Sequence, residues 1–133
     1  MKQFDRKLIL EDGGEYPGFG FGADKDALCE LVFNTSMTGY QELVSDPSYT
    51  DQTVVMTYPL IGNYGITDED FESKTLSIGG LVVRDYNDTP SNFRCTRTLS
   101  ELLEENGVPG LAGIDTRKIA RILRDEGLQR ALI

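Results

Sequence analysis

Apolar positions along the chain alternate first with period two, then gather into short β-branched runs, and take up helical spacing only near the end. Arg6-Lys7-Leu8-Ile9-Leu10 reads as a strand. Glu11-Asp12-Gly13-Gly14 follows, and its Asp-Gly pair supplies the positive φ that a tight hairpin needs. The returning run, Glu15 to Gly22, sets Phe19 and Phe21 on one face and Gly18, Gly20 and Gly22 on the other. A bare glycine face implies a close neighbour, either packed backbone or a ligand. The Gly-x-Gly-x-Gly spacing is not a dinucleotide fingerprint, because it lies within a strand and no helix opens after it.

Leu28 to Phe33 predicts the next strand, ending in the hydroxyl and amide cluster Asn34-Thr35-Ser36-Met37. Thr38-Gly39-Tyr40-Gln41 then carries helix-start chemistry, and Pro47 stops the helix. The β-branched run Thr53 to Tyr58 predicts a second strand. Strand, short helix and strand make a crossover unit, with parallel pairing favoured where a run is apolar on both faces. This unit marks the expected sheet centre. Leu60 to Gly65 reads as a turn-rich loop, and Asp68-Glu69-Asp70-Phe71-Glu72 as a solvated charged turn. The latter lacks the twelve-residue pattern of a calcium loop.

Leu76 to Asp85 is the longest strand candidate, and Gly79-Gly80 inside it signals a bulge or a close backbone approach. Asp88 to Arg97 is loop-like. Thr98-Leu99-Ser100-Glu101 opens a helix with Leu99, Leu102 and Leu103 as its apolar stripe, closed at Asn106-Gly107. A short strand is expected at Leu111 to Ile114. Asp115 then caps a helix whose Ile119, Ile122 and Leu123 face the core and which stops at Gly127; a last strand runs from Leu128 to Ile133.

Composition narrows the function classes. One core, not two, fits 133 residues, so a single domain spans 1–133. With 13 basic and 22 acidic side chains the net charge is −9, which repels nucleic-acid phosphates and anionic membranes, and neither is an expected partner. No apolar run approaches the ~18 residues of a membrane span, so a cytoplasmic protein is expected. Cys29 and Cys95, far apart and without ligand-like spacing, read as reduced thiols, Cys29 in a strand core. The sequence contains no histidine, which removes Ser-His and Cys-His dyads and His-based zinc sites. No catalytic residue and no metal ligand is assigned. Against the acidic background, five of the 13 basic residues, Arg117, Lys118, Arg121, Arg124 and Arg130, fall in the last seventeen positions. Arg117, Arg121 and Arg124 share one helix face at i, i+4 and i+7. That stripe either docks an acidic partner surface, for which guanidinium forks are suited, or is solvated and paired with Asp125 and Glu126.

Five motifs in order, Phe33-Asn34-Thr35-Ser36-Met37-Thr38-Gly39-Tyr40-Gln41-Glu42, Asp46-Pro47-Ser48-Tyr49, Thr57-Tyr58-Pro59-Leu60-Ile61-Gly62-Asn63-Tyr64-Gly65, Pro90-Ser91-Asn92-Phe93-Arg94 and Gly113-Ile114-Asp115-Thr116-Arg117, resemble the amino-terminal domain of the carbamoyl phosphate synthetase small (glutaminase) subunit. The resemblance covers essentially the whole chain. It implies an α/β fold, a three-layer β/β/α domain with a central mixed or parallel sheet, helices on one side of it, and the N-terminal β-hairpin. In that family the small subunit hydrolyses L-glutamine. Its ammonia reaches a large subunit that makes carbamoyl phosphate from bicarbonate and ATP, for arginine and pyrimidine synthesis.

The family's Cys, His and Glu belong to a glutamine amidotransferase domain expected to follow Ile133 and absent from this chain, so Cys29 and Cys95 are not nucleophiles. The resemblance implies a scaffold and docking domain. Its expected partners are the large subunit, the amidotransferase domain and glutamine. It has no cofactor of its own, with ATP and metal expected only on the large subunit. Ser48 matches the family serine that touches glutamine held by the neighbouring domain; by its own chemistry alone, Ser48 is first read as capping the turn after Pro47 through its hydroxyl. Arg117, Arg121 and Arg124 are the interface candidates. The alternative is a stand-alone small-molecule binding module using the Asn34–Met37 and Ser48 loops.

Overall fold

A computed structural model describes residues 5–34, 49–57, 60–61, 77–86 and 99–133. The N-terminal hairpin forms as its alternation requires: β1 (Arg6–Leu10) pairs antiparallel with β2 (Glu15–Gly22), Leu8 opposite Tyr16. Gly13 turns the chain at φ 96°, and Asp12 Oδ1 accepts from the Gly14 amide at 2.8 Å. The parallel pairing expected of the crossover unit also holds. β3 (Leu28–Asn34) pairs parallel with β4 (Gln52–Met56), Val32 opposite Val54. Further parallel pairs join β4 to β6 (Gly80–Val82) and β6 to β8 (Pro109–Ala112). The last strand, β9 (Gln129–Leu132), inserts antiparallel between β1 and β3, while β2 pairs with β8.

Those pairings close the sheet. Among the described residues seven strands run β1-β2-β8-β6-β4-β3-β9 and return to β1, a barrel whose four neighbours β3, β4, β6 and β8 are parallel and whose remaining pairs are antiparallel. The expected mixed sheet with its hairpin is therefore present, but as a closed ring in which β9 leaves β1 and β3 no free edge. β4, in the parallel half, is buried on both faces: Val54 and Met56 enter one core, with Leu81, Val83, Leu103 and Val108, and Val55 enters the other, with Leu8, Leu10, Leu31, Val82 and Leu111. α1 (Leu99–Glu105) belongs to the first core through Leu103, and α2 (Thr116–Glu126) to the second through Ile119 and Leu123. The two described helices thus serve different cores instead of sharing one side of the sheet.

Several boundaries differ from the sequence reading. The long run Leu76 to Asp85 is not one strand. β6 covers three residues, the backbone leaves the ladder at Val83 and Arg84, and β7 (Asp85–Tyr86) pairs parallel with β5 (Leu60–Ile61) in a separate small sheet. Leu60 and Ile61, expected in a loop, thereby form a short strand. β8 begins at Pro109, two residues before the expected Leu111. Cys29 lies in β3, half-buried and a free thiol, not in the core. The helix expected after Thr38, the Asp68–Glu72 turn, the Asp88–Arg97 loop and Cys95 lie outside the described residues.

The glycine face of β2 is filled by protein. A Cβ on Gly18 would sit 2.5 Å from the Ala112 carbonyl oxygen, and one on Gly22 would sit 2.7 Å from that of Val108. One on Gly20 would meet the Arg6 side chain at 2.7 Å. Gly79 allows a similar approach, with the Cys29 Sγ 2.6 Å from where its Cβ would be.

Candidate functional site

Parallel strands finish on the same side of a sheet, so the carboxyl ends of β3, β4, β6 and β8 gather their loops there. At the end of β3, the Asn34 side-chain amide donates to the Tyr49 hydroxyl at 2.9 Å. The Asn34 carbonyl accepts from the Thr57 amide at 3.2 Å and from Thr57 Oγ1 at 3.3 Å. Tyr49 packs against the first core. One polar junction therefore joins the end of β3, the end of β4 and the residue that follows Ser48. Ser48 itself, with Thr35, Ser36 and Met37, lies outside the described residues.

Beside this junction the β8 loop is held to β6. The Gly113 amide donates to the Arg84 carbonyl at 3.0 Å and the Ile114 amide to that of Val83 at 3.4 Å. Gly113 has φ 84°, and a Cβ there would meet the Phe19 ring at 2.9 Å, so this tight turn needs glycine. Asp115 caps α2, its carboxylate accepting from the Lys118 amide at 3.2 Å. Gly127, φ 91°, ends the helix with its amide on the Leu123 carbonyl.

Capping at Asp115 fixes which residues α2 presents. Ile119 and Leu123 point inward, so Arg117, Arg121 and Arg124 face solvent together. They border a hollow of about 280 Å³ floored by Phe33, Thr57 and Ala120. Arg117 and Arg121 also border a second hollow, of about 520 Å³, with Arg84, Gly113 and Asp115. The two arginines form a ridge between the hollows. The structure thus unites the three predicted interface arginines on one face. It separates Arg130, which lies on β9 with its Nε and Nη2 each 3.2 Å from Glu11 Oε1. Of the anticipated partners, Asp125 reaches Arg124 at 3.4 Å. Lys118 points elsewhere, its Nζ 5.6 Å from the centroid of the Tyr16 ring. Burial, then the carboxylates of Asp12 and Glu126, hold the Tyr16 phenol above its ordinary range.

Arg84, Tyr49 and Thr57 were not singled out by the sequence. Arg84 sat inside an apparent strand, and only the β6–β8 pairing brings it beside Gly113. Tyr49 and Thr57 lie within quoted motifs, yet nothing local joins either to Asn34. Among the described residues no three Cys, Asp or Glu side chains converge as a metal-binding set. Two hydroxyls, of Thr53 and Thr116, are buried without a hydrogen-bond partner among those residues. Among the same residues no helix is long and apolar enough to cross a membrane.

Comparison with known proteins matches residues 8–133 to the family described as "Carbamoyl-phosphate synthase small chain, CPSase domain". A carbamoyl phosphate synthase small chain of Oceanobacillus iheyensis is 56% identical over 128 residues, 96% of this chain and 35% of that relative. One of Fusobacterium nucleatum is 55% identical over 130 residues, 98% of this chain and 36% of the relative. A small chain named as pyrimidine-specific, from Halalkalibacterium halodurans, is 56% identical over 122 residues, 92% of this chain and 34% of the relative. The chain spans about a third of the length of these curated relatives. With a family match over nearly its whole length, this chain belongs to the carbamoyl-phosphate synthase small-chain family, as its CPSase domain.

Proposed function

We propose that this chain is the scaffold and docking domain of a glutamine-hydrolysing carbamoyl phosphate synthetase. In that assembly, ammonia from glutamine combines with bicarbonate and ATP to give carbamoyl phosphate for arginine and pyrimidine synthesis, in the cytoplasm. The observation that carries this reading is the family match over residues 8–133. The absence of histidine supports a division of labour, since no Cys-His dyad can form within these residues. The amidotransferase domain would supply the nucleophile, and the large subunit would hold ATP and metal. The parallel half of the sheet and the packing of α1 through Leu103 against Val54, Met56 and Leu81 support the sheet-and-helix part of the expected β/β/α layering.

In this reading Ser48 contacts glutamine held by the neighbouring domain, and Arg117, Arg121 and Arg124 belong to the docking surface. The Asn34–Tyr49 hydrogen bond supports the first assignment by tying down the residue next to Ser48. Two measurements test it. The purified chain should release no ammonia from glutamine; measurable release refutes the scaffold role. In a full-length small subunit, Ser48→Ala should weaken glutamine by about one hydrogen bond, ~0.5–1.5 kcal/mol, raising KM up to roughly tenfold. An unchanged KM removes Ser48 from the site.

A further inference from the structure

We propose that Ile9, Leu132 and Leu28, side by side on the outer face of β1, β9 and β3, seat the polypeptide that continues from Ile133 in the full-length small chain. The proposal rests on the functional reading above, which places a further domain after Ile133, and sharpens it by naming the face that the continuation covers. Three observations carry it. The first is a break in the strand pattern. Leu8 and Leu10 of β1, Ala131 of β9 and Leu31 of β3 turn into the second core, so the residues alternating with them face outward. Lys7, Arg130 and Glu30 are such outward residues, charged as an open sheet face requires. Two positions along each strand the outward residue is apolar instead. Ladder register brings these three together, with Leu132 opposite Ile9 on one side and opposite Leu28 on the other.

The second observation is exposure. Among the described residues two large apolar side chains stand open to solvent, Leu28 at 63% and Leu128 at 56%. Ile9 and Leu132 border two hollows, one of about 360 Å³ towards Asp24 and Asp26 and one of about 190 Å³ shared with Leu28. Among the described residues, every charged side chain on their rims is engaged: Arg6 with Asp24 and Asp26, Lys7 with Glu15, Arg130 with Glu11, and Asp5 with the Gly20 amide. What is left open is apolar surface within a paired polar rim, which fits apolar side chains and not an ion. The third observation is the exit. Ile133 is 5% exposed and its amide donates to the Ala27 carbonyl at 3.0 Å, which pins the end of β9 beside the start of β3. The matched segment is 35% of one relative and 36% of another, so nearly two-thirds of each lies outside it. Placed after Ile133, that length leaves from within one residue of the row. Leu28 is one strand away, roughly 5 Å, and the row spans roughly 10 Å, about the width of one helix. Tethering at Ile133 keeps the first residues of the continuation at high local concentration over it.

The test uses the full-length small chain, with thermal melting as the readout and threonine as the replacement, because threonine keeps strand propensity while removing apolar surface. Leu28 and Leu128 are similarly exposed in this domain, so with the row left open Leu28→Thr and Leu128→Thr should behave alike. With the row covered, Leu28→Thr should lower the melting temperature by about 3 °C or more and Leu128→Thr by less than about 1 °C, while Leu28→Met stays near the wild type. Equal shifts from the two threonine variants, small or large, overturn the proposal. Sedimentation velocity distinguishes the continuation from a second copy of the chain: a wild-type dimer that Leu28→Thr dissociates overturns the proposal in favour of self-association. Ammonia release from glutamine by the wild-type full-length chain is measured alongside. Its absence removes the functional reading and this proposal with it, whereas hydrolysis accompanied by equal melting shifts removes the proposal alone.

Discussion

The Asn34–Tyr49 hydrogen bond ties together the two ends of the segment that contains Ser48, and its strength can be measured directly. At 2.9 Å between neutral, partly buried groups it should contribute about 0.5–1.5 kcal/mol. Tyr49→Phe keeps the ring in the first core and removes only the hydroxyl, so its cost should be near 1 kcal/mol, about a fivefold change in the folded-to-unfolded ratio. Asn34→Ala should cost more, because Asn34 has interactions besides this one. The pair is isolated by the double variant, whose cost should fall short of the sum of the two single costs by about 0.5–1.5 kcal/mol. Urea unfolding at constant m-value gives each term. Coupling within about 0.3 kcal/mol of zero would refute the tie. If the tie orients Ser48, Tyr49→Phe in a full-length subunit should raise the glutamine KM while leaving kcat nearly unchanged.

Two further perturbations test the frame. Gly22 has φ 72° and its added Cβ would meet the Val108 carbonyl oxygen at 2.7 Å and Leu103 Cβ at 2.9 Å, whereas Gly13 has φ 96° and nothing within 4 Å. Gly13→Ala should therefore cost the backbone strain alone, about 1–2 kcal/mol, and Gly22→Ala a further ~1–3 kcal/mol for overpacking; equal costs in a denaturant titration would contradict the close approach of β2 to Val108. For Tyr16, the folded protein holds the proton more tightly than the unfolded chain, whose phenol titrates near 10.0. Its contribution is complete below that pH and is lost as pH rises through the raised folded value, so the unfolding midpoint should drop in mild alkali and Tyr16→Phe should flatten the drop. An identical alkaline profile in the variant would dismiss Tyr16 as a source of that dependence.

Local chemistry made much of this fold legible. The hairpin turn at Gly13, the helix stops at Gly107 and Gly127, with φ 67° and 91°, and the Asp115 cap all follow from what single residues permit. Helical periodicity likewise placed Arg117, Arg121 and Arg124 on one face. What the sequence did not reveal depends on pairing between distant segments. A strand buried on both faces has no alternation to mark its ends, so the apolar run through Val83 concealed the point where the backbone leaves the ladder to bond Leu111 and Ile114. Closure of the barrel hangs on β9, four residues whose partners lie about a hundred positions earlier. The same non-local pairing decides where the cations lie. Arg130, grouped by sequence with the α2 arginines, is carried by β9 to Glu11 and neutralised there, while Arg84 is brought by β6 to the open end of the sheet. Ser48 belongs to a different case: its role came from resemblance, and it lies outside the described residues. The structure reaches it only through its neighbour Tyr49. The gathering of arginines at this end of the barrel is therefore a product of topology acting on residues that, taken locally, look like any solvated basic side chain.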